Sequence, residues 1–272
     1  MPAPQSLAVG WGREPEMYVH DELAGWVIRY LTSEAPGHQR RVPVDMERLK
    51  HLLRPADVIL VEGTSRISRI IMTLSQSSWS HAAMYLGDAL LRWGGPHAEA
   101  ALGRFGAEAA HLVIESDMRE GVRVVPVTWY AERSLRVCRP HGLLAEDRDR
   151  VLAESLRHLG VTYDRRNIFD LARYLTPFHL LPERWRRKPL YLGSSTSREI
   201  ICSALLAKSF YKVNYPIQPA RRHEEGSAQL RGLWTARHPS YIMPRDFDLS
   251  PNFEILKPHP LEGAAAGYRA AG

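Results

Sequence analysis

Hydrophobic positions follow two rhythms along this chain, and the change between them marks its organisation. Leu23, Trp26, Val27, Tyr30 and Leu31 fall at helical spacing in DELAGWVIRYLTSEA, and DMERLKHLL predicts a second, shorter helix before Pro55. From Asp57 the rhythm changes. DVILVEG is a short β-branched run closed by Gly63 and reads as a buried strand. SRISRIIMTLSQS returns to helical spacing through Ile67, Ile70, Ile71 and Leu74. WSHAAMYLGD then alternates, with Ala82, Met84 and Leu86 on one face and His81, Ala83 and Tyr85 on the other. HLVIESD, GVRVVPVTW and SLRVCRP are three further strand candidates with no long helix between them, the signature of an antiparallel sheet. The Gly- and Ala-rich stretch 89–110 reads as an insertion. EDRDRVLAESLRHLG predicts a helix stopped at Gly160, VTYDRRNIFDLARYLTPF another ending before Pro177, and REIICSALLAKSFYKV a last one. The expectation is an α+β chain: an antiparallel sheet of about five strands packed by helices. It divides into an N-terminal helical extension (1–54), a main domain (55–257) and a flexible tail (258–272).

Composition narrows the function classes. With 272 residues, 44% of them hydrophobic, the chain can bury a generous core. It contains no apolar run long enough for a transmembrane helix. MPAPQSLAVGWGREPE lacks both the basic start with an apolar core of a secretory signal and a lipid-attachment cysteine, so a cytoplasmic location is expected. The net charge of +6 collects in patches such as Arg40-Arg41, Arg165-Arg166, Arg184 with Arg186-Arg187-Lys188, and Arg221-Arg222. No zinc-finger spacing, RNA-recognition motif or P-loop accompanies them, so nucleic acid is not the expected partner. The patches read as arginine-rich solvated surface, and the basic and aromatic FHLLPERWRRKPLYL is a candidate for docking on an anionic membrane surface.

The candidate chemistry centres on two cysteines and one histidine. Two cysteines make no disulfide framework, and each is expected as a free thiol. Cys138 lies in the apolar LRVC, where a neutral packed thiol belongs. Cys202 lies near a helix start, whose positive end lowers a thiol pKa and favours the thiolate. Thr196 and Glu199 fit a capping box that would put Cys202 in the second turn, whereas an extended REII would put it in the first. Both arrangements stand open. His81 suits a half-buried packed residue, a metal ligand or a catalytic base. No zinc-type His/Cys spacing occurs, and neither metal nor cofactor is expected. A Cys–His pair needs a third group to fix the imidazole tautomer. Glu115, on the strand face opposite Leu112 and Ile114, is either that group or a plain edge-strand carboxylate, while Asp117 falls in the following turn. Trp79 is either a cleft wall or ordinary packing, and Tyr163-Asp164 either a cleft border or a helix-capping turn. Asp57 either helps frame the site or, as the better reading, is a structural strand-start residue.

The order DVILVEGTS, SHAAMYLGD, LVIES and IICSALL, with the later PRDFDLSPNFEIL, resembles the YiiX/YebB-like family, a permuted branch of the NlpC-type papain-like cysteine hydrolases. The resemblance spans roughly residues 55–257. It implies a circularly permuted papain-like (NlpC-type) core, with Cys202 as nucleophile, His81 as base and Glu115 as orienting residue. It further implies cleavage of an amide in a peptide-like substrate, whether peptide, isopeptide or cell-wall-type, through a thioester on Cys202. A lipid-directed acyl hydrolase or acyltransferase, acting on an acylated small molecule at a membrane surface, is the first alternative. A binding protein that has kept the fold without turnover is the second.

Overall fold

A computed structural model describes residues 29–35, 44–161, 202–218 and 238–257. Within the first predicted helix, residues 29–32 are helical. The second is α1 (Met46–Leu52), opened by Asp45, whose side chain accepts from the Arg48 N–H at 3.1 Å. Glu47 in its first turn and Lys50 and His51 in its last suit the helix dipole.

Among the described residues, six strands form one fully antiparallel sheet in the order β4-β3-β2-β1-β5-β6. They are β1 (Val58–Val61), β2 (His81–Gly87), β3 (Leu112–Asp117), β4 (Gly121–Pro126), β5 (Leu135–Pro140) and β6 (Phe253–Leu256). The sequence pattern led to about five strands. The sixth, FEIL, is too short for a period to declare itself, and it adds an edge by pairing Cys138 with Ile255. β1 is central and buried along its whole length, which is why VILV is apolar without alternation.

Helices cover one face of the sheet. Leu205, Leu206, Ala207 and Phe210 of α6 (Cys202–Tyr211) and Val151 and Leu152 of α5 (Ala145–Leu156) pack on Val58, Leu60, Ala82, Met84, Leu86, Leu112 and Ile114. Strand parity sends Ile59, Val61, Ala83, Tyr85, Val113 and Val137 to the opposite face, where Val44, Leu49 and Leu53 meet them. α2 (Arg66–Ser75) links β1 to β2, capped by Ser65, and α7 (Pro244–Asp248) precedes β6.

Two segments depart from the sequence pattern. Residues 89–110 are ordered secondary structure: α3 (Ala89–Trp93), α4 (Pro96–Phe105) and a 3-10 turn (Gly106–Ala110) bring β3 back beside β2. GVRVVPVTW was expected to run as one strand, but β4 stops at Pro126 and Val127–Tyr130 form a 3-10 turn. A proline has no N–H for the ladder, so pairing ends there. The helix expected over VTYDRRNIFDLARYLTPF lies outside the described residues apart from Val161. So do Tyr163-Asp164, the basic stretch 180–197, the capping pair Thr196 and Glu199, the four arginine patches and the tail 258–272. No described helix is long and apolar enough to cross a membrane.

Candidate active site

β2 begins at His81 because the chain is pinned just before it. The Ser80 N–H donates to the Val61 carbonyl at 3.1 Å, and the Ser80 hydroxyl accepts from the Gly63 N–H at 2.9 Å. Gly63 must be small, since a methyl group there would overlap Ser68 Oγ and lie 2.8 Å from Ser80 Oγ. His81 is thus held opposite Val61, on the face shared with Ala83 and Tyr85. Its side chain keeps 22% of its exposure, against 6% for Glu115.

Glu115 shares that face through Val113, and its carboxylate Oε2 lies 2.7 Å from His81 Nε2. β3 is an inner strand, so Glu115 is no edge carboxylate. Arg123 stands directly across from it on β4 and donates through Nε to Oε1 at 2.8 Å. The Tyr130 hydroxyl donates to Oε2. Asp117, as expected, closes the turn instead, accepting from the N–H groups of Arg119 and Glu120 at 2.8 and 3.0 Å.

Cys202, the first described residue of α6, completes the cluster. α6 packs on β2 and β3 and so carries the thiol to the start of β2. The His81 side chain and the N–H groups of Ala82 and Ser203 hydrogen-bond to the thiol. Nε2 of His81 is committed to Glu115, which leaves Nδ1 as the ring nitrogen for the thiol.

The electrostatics are mutual. Burial pushes the Cys202 thiol up, but the charge of His81, its hydrogen bond and the two N–H groups outweigh this and hold it below the ordinary thiol range. Burial likewise pushes the His81 imidazolium down, and Cys202 and Glu115 together leave it well above the usual histidine value. Burial raises the Glu115 carboxyl, yet His81, Tyr130 and Arg123 bring it to about 2. These opposed shifts favour a thiolate beside an imidazolium, backed by a carboxylate, the kind of arrangement that can make a sulfur nucleophile available.

Residues 53–174 match the family described as permuted papain-like amidase enzyme, YaeF/YiiX, C92 family. The match covers somewhat less than half of the 272-residue chain, and over it the segment is similar to that family. The sheet and helices form an α+β fold in which the histidine strand precedes the cysteine helix, the order of a permuted papain-like arrangement. The matched segment carries His81 and Glu115 and ends before Cys202. Among solved structures, the chain is similar to the metalloprotein yiiX from Escherichia coli O157:H7. Identity is 17%, with 76% of this chain and 98% of that one covered and a TM-score of 0.46. No curated protein matches the chain. Among the described residues, no three His, Cys, Asp or Glu side chains converge as a metal-ligand set.

Other candidates separate cleanly. Cys138 is fully buried in β5, and burial pushes its thiol far up. Asp57 is structural: its carboxylate accepts from the Arg54 N–H at 2.8 Å and pairs with Arg139 at 2.7 Å. Trp79 is buried and packed, with its indole N–H on Asp248 at 3.0 Å and the Arg136 guanidinium 5.0 Å over its ring. It also walls a cavity of about 500 Å³ bordered by Arg136, Arg245, Asp248 and Leu249. Sequence reasoning missed Arg123 and Tyr130. A legible signal existed for Arg123, because a turn centred near Arg119 makes Glu115 and Arg123 cross-strand partners.

Proposed function

We propose that this protein is a cysteine hydrolase that cleaves an amide bond in a peptide-like substrate, with Cys202 as nucleophile, His81 as general acid and base, and Glu115 as the orienting carboxylate. The observation that carries this reading is the coupling of Cys202 to His81 while the other ring nitrogen meets Glu115 at 2.7 Å. An amidase family description supports the amide as the scissile group.

The Cys202 thiolate attacks the carbonyl carbon, forming a C–S bond. The His81 imidazolium gives its Nδ1 proton to the amine nitrogen as the C–N bond breaks, leaving a thioester and a free amine. Water then attacks the thioester while Nδ1 takes its proton. The products are a carboxylic acid and the restored thiolate–imidazolium pair. The N–H groups of Ala82 and Ser203, which already face the sulfur, supply positive potential where negative charge develops. Glu115 remains ionised throughout and keeps the imidazole in one orientation.

The lipid-directed alternative drew on the basic aromatic segment, which lies outside the described residues, and the family description is of an amidase. A binding role without turnover leaves the shifted thiol without a purpose. The test is a panel of N-acyl peptides and isopeptides assayed with the native protein and with Cys202→Ala. Hydrolysis of at least one amide, reduced by about 10³-fold or more in Cys202→Ala, supports the reading. Hydrolysis that survives Cys202→Ala contradicts it.

A further inference from the structure

The Glu115 carboxylate has more partners than an imidazole-orienting group needs. Building on the function proposed above, we propose that Arg123 and Tyr130 are positioning residues that clamp the two Glu115 oxygens, so that Oε2 stays aimed at Nε2 of His81. A carboxylate held at one point can turn and exchange its oxygens; one held at both cannot. Arg123 takes Oε1 with two N–H groups, Nε and Nη2, each at 2.8 Å. Tyr130 takes Oε2, the oxygen that also meets His81.

The clamp has a chemical consequence. An ionised carboxylate only accepts hydrogen bonds, and Tyr130 and Arg123 are both donors to it. Burial, reinforced by Glu115, pushes the Tyr130 phenol well above its ordinary range, so it keeps its proton and remains a donor. The third contact on Glu115 must then be a donor too, which places a proton on Nε2 and leaves Nδ1 for exchange with Cys202. The charged and titratable groups around Glu115 are His81 from β2, Arg123 from β4, Tyr130 from the 3-10 turn after Pro126, and Cys202 from α6 beyond the imidazole. Arg123 is itself anchored: its Nη1 pairs with Glu120 at 2.6 Å, its Nη2 lies 3.6 Å from Asp117, and its guanidinium sits 5.5 Å over the Trp129 ring.

The experiment follows iodoacetamide alkylation of Cys202 from pH 3 to 9 by mass spectrometry, with Cys138 as an internal reference. The native protein is compared with Tyr130→Phe, Arg123→Gln and Arg123→Lys, each first shown by thermal melting to be folded. Without the clamp, Glu115 takes up a proton at higher pH and withdraws from His81. The acid-side midpoint of labelling should therefore rise by about one pH unit in Tyr130→Phe and Arg123→Gln, with partial recovery in Arg123→Lys. Folded variants whose midpoint equals that of the native protein overturn the clamp. A native protein with no depressed midpoint overturns the Cys202–His81 reading itself, and the clamp with it. Should Tyr130→Phe not fold, the variants at the partly buried Arg123 carry the test.

Discussion

Cys138 and Cys202 place the same side chain in two regions of one sheet-and-helix layer and receive opposite chemistry. Cys138 sits inside β5 between hydrogen-bonded neighbours, and burial leaves its thiol protonated far above any working pH. Cys202 is also largely enclosed, and burial alone would raise its thiol as well. The difference lies in what the surroundings offer the charged form. At Cys202 an imidazole and two N–H groups converge on the sulfur, while Cys138 faces Asp248 and Asp57, which oppose a thiolate, with Arg136 only partly offsetting them. Burial decides how strongly neighbours act; which neighbours are present decides the sign.

That contrast can be broken from either side. The largest effect is expected for His81→Ala, which removes the partner of the Cys202 thiolate. Alkylation of Cys202 at pH 6 should fall by about 10²-fold, toward the slow rate of Cys138, and amide hydrolysis should fall by at least as much. Glu115→Gln is the next. It leaves the imidazole in place without a charged orienter, so kcat/KM should drop by roughly 10- to 100-fold, less than for His81→Ala. An unchanged rate would remove Glu115 from the site. Smallest is Cys138→Ala, which should keep kcat/KM within about twofold while costing about 1–2 kcal/mol in denaturant unfolding for the small void left in the core.

A pH prediction sharpens the same comparison. The folded Glu115 pKa is depressed to about 2 from its ordinary value of 4.5. Its contribution to stability is present above the unfolded value and is lost as pH falls through the folded one. The native protein should therefore lose at most about 3 kcal/mol between pH 5 and 2 on account of this residue. Glu115→Gln should show a correspondingly shallower acid limb in urea unfolding, with Cys138→Ala unchanged in slope.

How far the site could be read beforehand varies residue by residue. The face of His81 was legible because alternation in HAAMYLG survives in a strand buried on both sides, where Ala83 and Tyr85 still part from Ala82 and Met84. Cys202 was distinguishable from Cys138 by its place near a helix start rather than within an apolar strand. Glu115 was only half legible. Its parity was visible, but the 89–110 stretch gave no sign that it would fold into two helices and a 3-10 turn that return β3 to the side of β2. Tyr130 was hidden for the converse reason, because GVRVVPVTW reads as continuous β-branched sequence. Pro126 ends the ladder and turns the chain so that the phenol reaches Glu115. The site therefore depends on long-range return of the chain, which local periodicity does not encode.

The most direct test of the central claim is the pH profile of Cys202 alkylation in the native protein, read beside His81→Ala and with Cys138 followed in the same digest. Rapid labelling of Cys202 is expected well below pH 8, with a profile that His81→Ala shifts to the ordinary thiol range and near-silence from Cys138 throughout. Cys202 labelling at an ordinary thiol rate, indifferent to His81→Ala, would contradict the central claim.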